Sequence, residues 1–202
     1  MIRNIIFDIG EVLMGYRWQY VLGCSGLSAE DGLRVGAEIF DDSIWYNLDA
    51  GNIMLTEASR QYRAKYPEDA DNIDFFLTHP ELMPEGRPDV WEYLPKLKEK
   101  GYKLFALSNY GKELFDVHIR NAGFLQYLDG AVISYELHLC KPDVAIYQAL
   151  LNKYELNPSE SVFLDDRLEN IEGANKCGIK GVQVVGKAAV IEELESLLRE
   201  VM

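Results

Sequence analysis

Ile5-Ile6-Phe7-Asp8-Ile9-Gly10-Glu11-Val12 is an apolar run that stops at an acid and turns at a glycine. The run lacks alternation, as expected of a strand with both faces covered by helices. In an open α/β sheet the ligand sits at the carboxyl ends of the strands, so Asp8 stands where chemistry would be done. Folding alone accounts poorly for an acid there.

Similar short apolar runs recur at 102–108, 131–134, 161–165 and 181–185. Helical patterns lie between and after them, at 88–100, 111–122, after Pro142, at 167–177 and at 188–201. In 88–100, Pro88 suits the first helical position, Val90, Leu94 and Leu97 form one stripe, and Gly101 closes the helix. Pro95 inside that pattern predicts a kink or a break. Ile146, Ala149 and Leu150 are expected to face inward, as are Val190, Leu194, Leu197 and Val201 of the tail. Strands alternating with helices in this way predict a Rossmann-like, doubly wound parallel sheet of the α/β class.

Residues 15–85 read differently. Ser28 with Asp31 suggests a helix start, with Leu33, Ala37 and Phe40 on one face. Thr56 can cap a second helix carrying Ala58 and Tyr62 and ended by Pro67; 72–78 forms a third, stopped near Pro80. No strand is apparent. The expectation is a small helical insertion (15–85) directly after the first strand of a core built from 1–14 and 86–202.

A net charge of −13 argues against nucleic acid or an anionic membrane as the main partner. It also means that handling phosphate would require a metal ion or local cations. Cys24, Cys140 and Cys177 form no C-x-x-C pair, no apolar stretch is long enough to span a membrane, and the chain enters a strand by Ile2 without a signal-peptide pattern. These features predict a soluble, cytoplasmic protein.

Polar residues cluster at or just beyond the strand ends: Asp8, Ser108-Asn109, Lys141 before Pro142, and Asp165-Asp166 with Asn170. Each has a plain structural explanation alone, as a loop acid, a turn, a solvated lysine or a helix N-terminus. Together, in order, they fit one task. Carboxylates hold a hard cation such as Mg²⁺. A hydroxyl, an amide and an ammonium bind phosphoryl oxygens, and a carboxylate beside the metal can attack phosphorus.

The ordered set resembles the haloacid dehalogenase-like superfamily of hydrolases over essentially the whole chain. The motifs are Phe7 to Val12, Leu107-Ser108-Asn109, Lys141-Pro142-Asp143, and Leu164-Asp165-Asp166 with Asn170. The stretch from Asp165 to Ala174 is similar to a branch of bacterial sugar-phosphate phosphatases of the α-D-glucose-1-phosphate phosphatase type. The resemblance implies a Mg²⁺-dependent phosphatase acting on a small phosphorylated metabolite through an aspartyl-phosphate on Asp8. Metal would be held by Asp8, the Gly10 carbonyl, Asp165 and Asp166, and the phosphoryl group by Ser108, Asn109 and Lys141. The insertion corresponds to a cap that closes over the cleft. Dehalogenation fits poorly, because those enzymes lack the acidic pair.

One position departs from the family pattern. Most phosphatases of this kind carry Asp two places after the nucleophile, where it protonates the leaving group; here Gly10 stands there. Losing such a group costs about 10²–10⁴-fold in rate. Glu11 and His138 are the nearest replacements to consider, and a steep dependence on leaving-group pKa is expected if nothing replaces it. The alternative is a catalytically degenerate module that binds a phosphorylated ligand or a protein partner. Tyr16, Trp18, Trp45, Tyr46 and Tyr110 are candidates to line a sugar-binding cleft, with core packing the simpler role for those in the insertion.

Overall fold

A computed structural model describes residues 1–199. Five parallel strands form the central sheet in the order β5-β4-β1-β6-β7: β1 (Asn4–Phe7), β4 (Lys103–Ser108), β5 (Gly130–Ile133), β6 (Ser161–Asp165) and β7 (Lys180–Gln183). The chain leaves β1 for β4 and β5 on one side, then returns to β6 and β7 on the other. The strand order therefore reverses at β1, and the crevice belongs at its carboxyl end. Phe7 is in register with Ala106 of β4 and with Leu164 of β6, so Asp8 follows between the two neighbouring strands.

Both sheet faces are covered, which is why the strands do not alternate in sequence. Ile5, Phe7, Leu104, Ala106, Val162 and Leu164 point into one core. There they meet α6 (Pro88–Trp91), α7 (Tyr93–Glu99) and α12 (Lys187–Arg199). Ile6, Phe105, Leu107 and Phe163 point into the other core, against α10 (Val144–Lys153) and α11 (Leu168–Lys176). The break expected at Pro95 falls three residues earlier: Glu92 separates α6 from α7, Pro95 lies in the first turn of α7, and Val90, Leu94 and Leu97 are buried as one stripe. Val190, Leu194 and Leu197 are buried in α12; Val201 lies outside the described residues. Ile146 and Leu150 are buried as expected, with Tyr147 beside them and Ala149 partly exposed. The helix expected over 111–122 is shorter, α8 (Lys112–His118), followed by a 3-10 turn at Gly123–Tyr127. A further short helix, α9 (Ser134–Leu137), follows β5.

The helical insertion contains α1 (Trp18–Cys24), α2 (Ala29–Phe40), α3 (Ser43–Asp49), α4 (Leu55–Lys65) and α5 (Ala70–Thr78) around its own core of Val21, Leu22, Val35, Ile39, Ala58 and Tyr62. Three sequence expectations are corrected here. The buried face of α2 is Gly32, Val35, Gly36 and Ile39, leaving Leu33 and Ala37 exposed. The cause is close approach: a Cβ on Gly36 would sit 2.3 Å from Trp18 Cζ3, so the glycine face is the one that can receive the indole. Thr56 caps nothing. Helix α4 starts one residue earlier, and its first amide, Leu55 N–H, donates to Glu113 Oε2 of the core at 2.6 Å.

The insertion also begins and ends in strands. β2 (Met14–Tyr16) pairs antiparallel with β3 (Pro84–Gly86), forming a ribbon where the chain leaves and re-enters the core. At three residues each, these strands are too short to show a period. Arg87, buried beside the ribbon, donates to the carbonyls of Glu11 (3.0 Å), Val12 (3.2 Å) and Lys187 (3.2 Å). It thereby holds the turn that follows Asp8. Among the described residues, no helix is long and apolar enough to cross a membrane.

Candidate active site

Asp8 is buried at the end of β1, its N–H donating to the Leu164 carbonyl at 2.9 Å. Three donors converge on one carboxylate oxygen: Ile9 N–H at 2.7 Å, Ser108 Oγ at 2.7 Å and Lys141 Nζ at 2.9 Å. That oxygen, Oδ1, is fixed, and Oδ2 is left for the cleft. Burial raises the Asp8 pKa, as does the Asp165 charge, against the lowering pull of Lys141 and Ser108.

Lys141 bridges two acids. Its ammonium meets Asp8 on one side and Asp165 Oδ2 at 2.6 Å on the other, with only 3% of the residue exposed. Burial alone would lower its pKa; the two carboxylates more than offset this and hold it raised. Its backbone is clamped as well. The Asn109 amide donates to the Lys141 carbonyl at 2.9 Å and accepts the Lys141 N–H at 2.7 Å. The Asn109 side chain, expected on the phosphoryl group, is thus engaged with the Lys141 main chain.

The acidic pair divides its labour. Asp165 is fully buried, taking the Arg167 N–H at 2.8 Å and the Asn170 amide at 3.0 Å as well as Lys141. Asp166 is partly exposed and lines the cleft. Burial and the charges of Asp8 and Asp165 push it up to about 7. Gly173 on α11 lets that helix press against the Lys141 segment; a Cβ there would lie 2.8 Å from the Pro142 carbonyl.

Carboxylate oxygens of Asp8, Asp165 and Asp166 lie within 4.8 Å of one another. Three acids share one buried ammonium, and two of them are held above their ordinary pKa values. An oxygen-rich cluster short of positive charge fits a divalent cation with a hard-ligand preference.

The cleft measures about 310 Å³. It is lined from the core by Asp8, Gly10, Ser108, Lys141 and Asp166, and from the insertion by Trp18, Phe40, Trp45, Asp49 and Met83. Tyr16 and Tyr110 line it too, whereas Tyr46 is exposed and faces elsewhere. Glu11 borders the cleft, but its carboxylate accepts the Tyr16 N–H at 2.9 Å. His138 is not in the cleft: it is exposed, with Nδ1 bonded to the Ala50 carbonyl at 2.9 Å. Asp49 escaped the sequence reading. It ends α3, a seven-residue helix too short for a periodic signal, and the one cue is an acid ahead of Gly51, which adopts φ +69°.

The profile of the haloacid dehalogenase-like hydrolases matches residues 2–178. The chain belongs to this family. Sesquiterpene phosphatase astK of Aspergillus oryzae is 24% identical over 202 residues, covering 97% of this chain and 96% of that protein. Drimenol cyclase drtB of Aspergillus calidoustus is 23% identical over 200 residues, 98% of this chain but only 37% of the relative. Among solved structures, the magnesium complex of the HAD-family enzyme bt-2542 from Bacteroides thetaiotaomicron superposes with a TM-score of 0.76. The two are 23% identical, with 98% of this chain and 99% of that one covered. This likeness establishes the family fold, a parallel sheet with a helical insertion after its first strand.

Proposed function

We propose that this haloacid dehalogenase-like hydrolase is a Mg²⁺-dependent phosphatase of small phosphorylated metabolites, sugar phosphates foremost, working through an aspartyl-phosphate on Asp8. The observation that carries this reading is the convergence of Ser108 and Lys141 on one oxygen of Asp8, with the other oxygen facing a cleft that also holds Asp166. A carboxylate so restrained has one free lone-pair face, and its attack on phosphorus is a matter of positioning. Lys141 favours the charged form of Asp8 against the effect of burial, and Ser108 and Lys141 would hold the phosphoryl oxygens. Asp8, Asp166 and the Gly10 carbonyl are the groups that would hold Mg²⁺, with Asp165 behind them; a bound cation would neutralise phosphoryl charge. Residues 15–85 act as the cap, and Trp18 and Trp45 offer aromatic faces to the organic part of the substrate. The free thiols of Cys24, Cys140 and Cys177 suit a reducing cytoplasm.

Phosphate release from a panel of sugar, prenyl and aryl phosphates, with Mg²⁺ or with chelator, tests the reading. Activity should vanish in Asp8→Asn and under chelation, and an acid-stable phosphoryl label should appear on wild type alone. Release that persists in Asp8→Asn would overturn it. Gly10 favours a second reading, a binding module without turnover. That outcome would show as calorimetric binding of a phosphorylated compound with no phosphate released by any ester.

A further inference from the structure

We infer that Asp49, delivered by the insertion, is the proton donor to the leaving group, in place of the acid that Gly10 cannot supply. The inference rests on the phosphatase reading above.

Asp8 enters the cleft from the end of β1. Displacement at phosphorus is in line, so the leaving oxygen departs on the side away from Asp8. A leaving group in the cleft lies against the residues the insertion supplies, Trp18, Phe40, Trp45, Asp49 and Met83, of which Asp49 is the one carboxyl among the described residues. The other candidates are placed differently. Glu11 is exposed on the turn beside Asp8, Asp166 belongs to the acidic cluster with Asp8, His138 lies outside the cleft, and Tyr16 donates its hydroxyl proton to Tyr110.

Asp49 is also unusually well held for a residue at a helix end. Its carbonyl accepts the Ser134 hydroxyl, and the next carbonyl, Ala50, accepts from His138. Just before it, the Leu48 carbonyl presses on Gly111, where a Cβ would come within 3.0 Å. Three successive carbonyls of the insertion thus seat on the core, and they carry the carboxyl to the cleft with them. A proton donor needs such fixed placement.

The surroundings favour its protonated form. Burial and the charge of Asp8 push the Asp49 carboxyl up to about 7, against lowering by the Gly111 N–H, Lys141 and Arg167. The phenols of Tyr16, Tyr110 and Tyr62 and the Cys140 thiol lie near enough to feel its charge, all with raised pKa values and so neutral at pH 7. A donor matched to the working pH is the most effective kind.

The step balances simply. An Asp8 oxygen bonds to phosphorus, the P–O bond to the leaving group breaks, and that oxygen takes the Asp49 proton. The leaving group departs as an alcohol, and Asp49 becomes a carboxylate. Water then attacks the aspartyl-phosphate, returns a proton to Asp49, and releases inorganic phosphate with Asp8 restored.

The test compares wild type and Asp49→Asn on a series running from 2,4-dinitrophenyl phosphate, which needs no acid, to alkyl phosphates, which do. Asp49→Asn should lose about 10²–10⁴-fold on alkyl phosphates and change little on the dinitrophenyl ester, so its leaving-group slope steepens. Equal loss on both esters would make Asp49 a structural residue, and no loss on either would remove it from the reaction; each overturns the inference. Should Asp49→Asn fail to fold, Asp49→Glu carries the same comparison: a displaced carboxyl should steepen the slope, and an unchanged slope refutes the role. Asp8→Asn, run alongside, separates the two readings. If it abolishes turnover while the Asp49 slopes stay flat, the phosphatase reading stands and the donor does not. If wild type releases no phosphate from any ester, both fall.

Discussion

The ring of Tyr16 fills the space into which a side chain at Gly10 would grow: a Cβ built there would stand 2.9 Å from Tyr16 Cε2 and 3.5 Å from Cδ2. The ring has little freedom to yield. Its hydroxyl donates to Tyr110, which bonds His118 Nδ1 at 2.8 Å, and His118 Nε2 in turn bonds the Pro80 carbonyl at 2.8 Å. With Nε2 donating, Nδ1 accepts, and the chain has a single direction. Gly10 is therefore packed against an aromatic residue anchored across the insertion and the core.

Restoring an acid by Gly10→Asp should consequently destabilise the protein by about 1–3 kcal/mol, the usual cost of overpacking. It should not rescue poor leaving groups. Urea denaturation of Gly10→Asp, Tyr16→Ala and the double variant checks this, and the double should be less destabilised than the two singles summed.

Among the described residues, Lys141 is the one cation paired with both Asp8 and Asp165. Lys141→Met keeps the bulk and removes the charge, leaving two buried carboxylates facing each other. Breaking a buried pair in this way costs about 3–5 kcal/mol. Phosphate release should fall by at least about 10²-fold, the scale for losing one electrostatic group. A variant with wild-type stability would contradict the bridging role.

Burial lowers the His118 pKa to about 4, against raising by the Pro80 carbonyl and Glu81. The unfolded chain, titrating near 6.5, therefore binds more protons between these two values, and stability rises with pH across that window. It should be complete above pH 6.5 and fall by up to about 3 kcal/mol as pH drops toward 4. Urea midpoints at pH 7 and pH 4.5 should show a smaller difference in His118→Gln than in wild type. An equal difference would assign the acid sensitivity to carboxylates such as Asp42, which burial would raise but Lys65, the Ile44 N–H and Tyr66 hold at about 2.

A cation bound by the acidic cluster stabilises the folded chain alone. Saturating Mg²⁺, at about a hundred times its Kd, is worth about 2.7 kcal/mol. For a chain of this length, that raises Tm by about 5–10 °C. Calorimetry with and without chelator measures the rise, and Asp166→Asn should remove most of it. A Tm indifferent to Mg²⁺ would count against the metal site.

Much of this was legible in the residues. Unalternating runs such as Ile5-Ile6-Phe7 announced a sheet buried on both faces, and Pro95 announced the break between α6 and α7, because such effects are local. The α2 face was misread for a non-local reason: Gly32 and Gly36 look like helix weaknesses until Trp18 is seen lying on them. Strands β2 and β3 are only three residues each, and their pairing across the insertion leaves no pattern in either segment.

By itself the sequence determined the fold class and the identity of the residues at the sheet edge, because hydrophobic period and strand-end chemistry are written along the chain. Only the tertiary structure brought Asp49 into the cleft with Asp8 and set Tyr16 against Gly10. Asp49 and Tyr16 come to the cleft from the insertion, 41 and 8 residues further along the chain than Asp8. What a side chain meets across a cleft depends on packing between segments, which no local pattern encodes. The missing acid thus became a question of which segment supplies the proton.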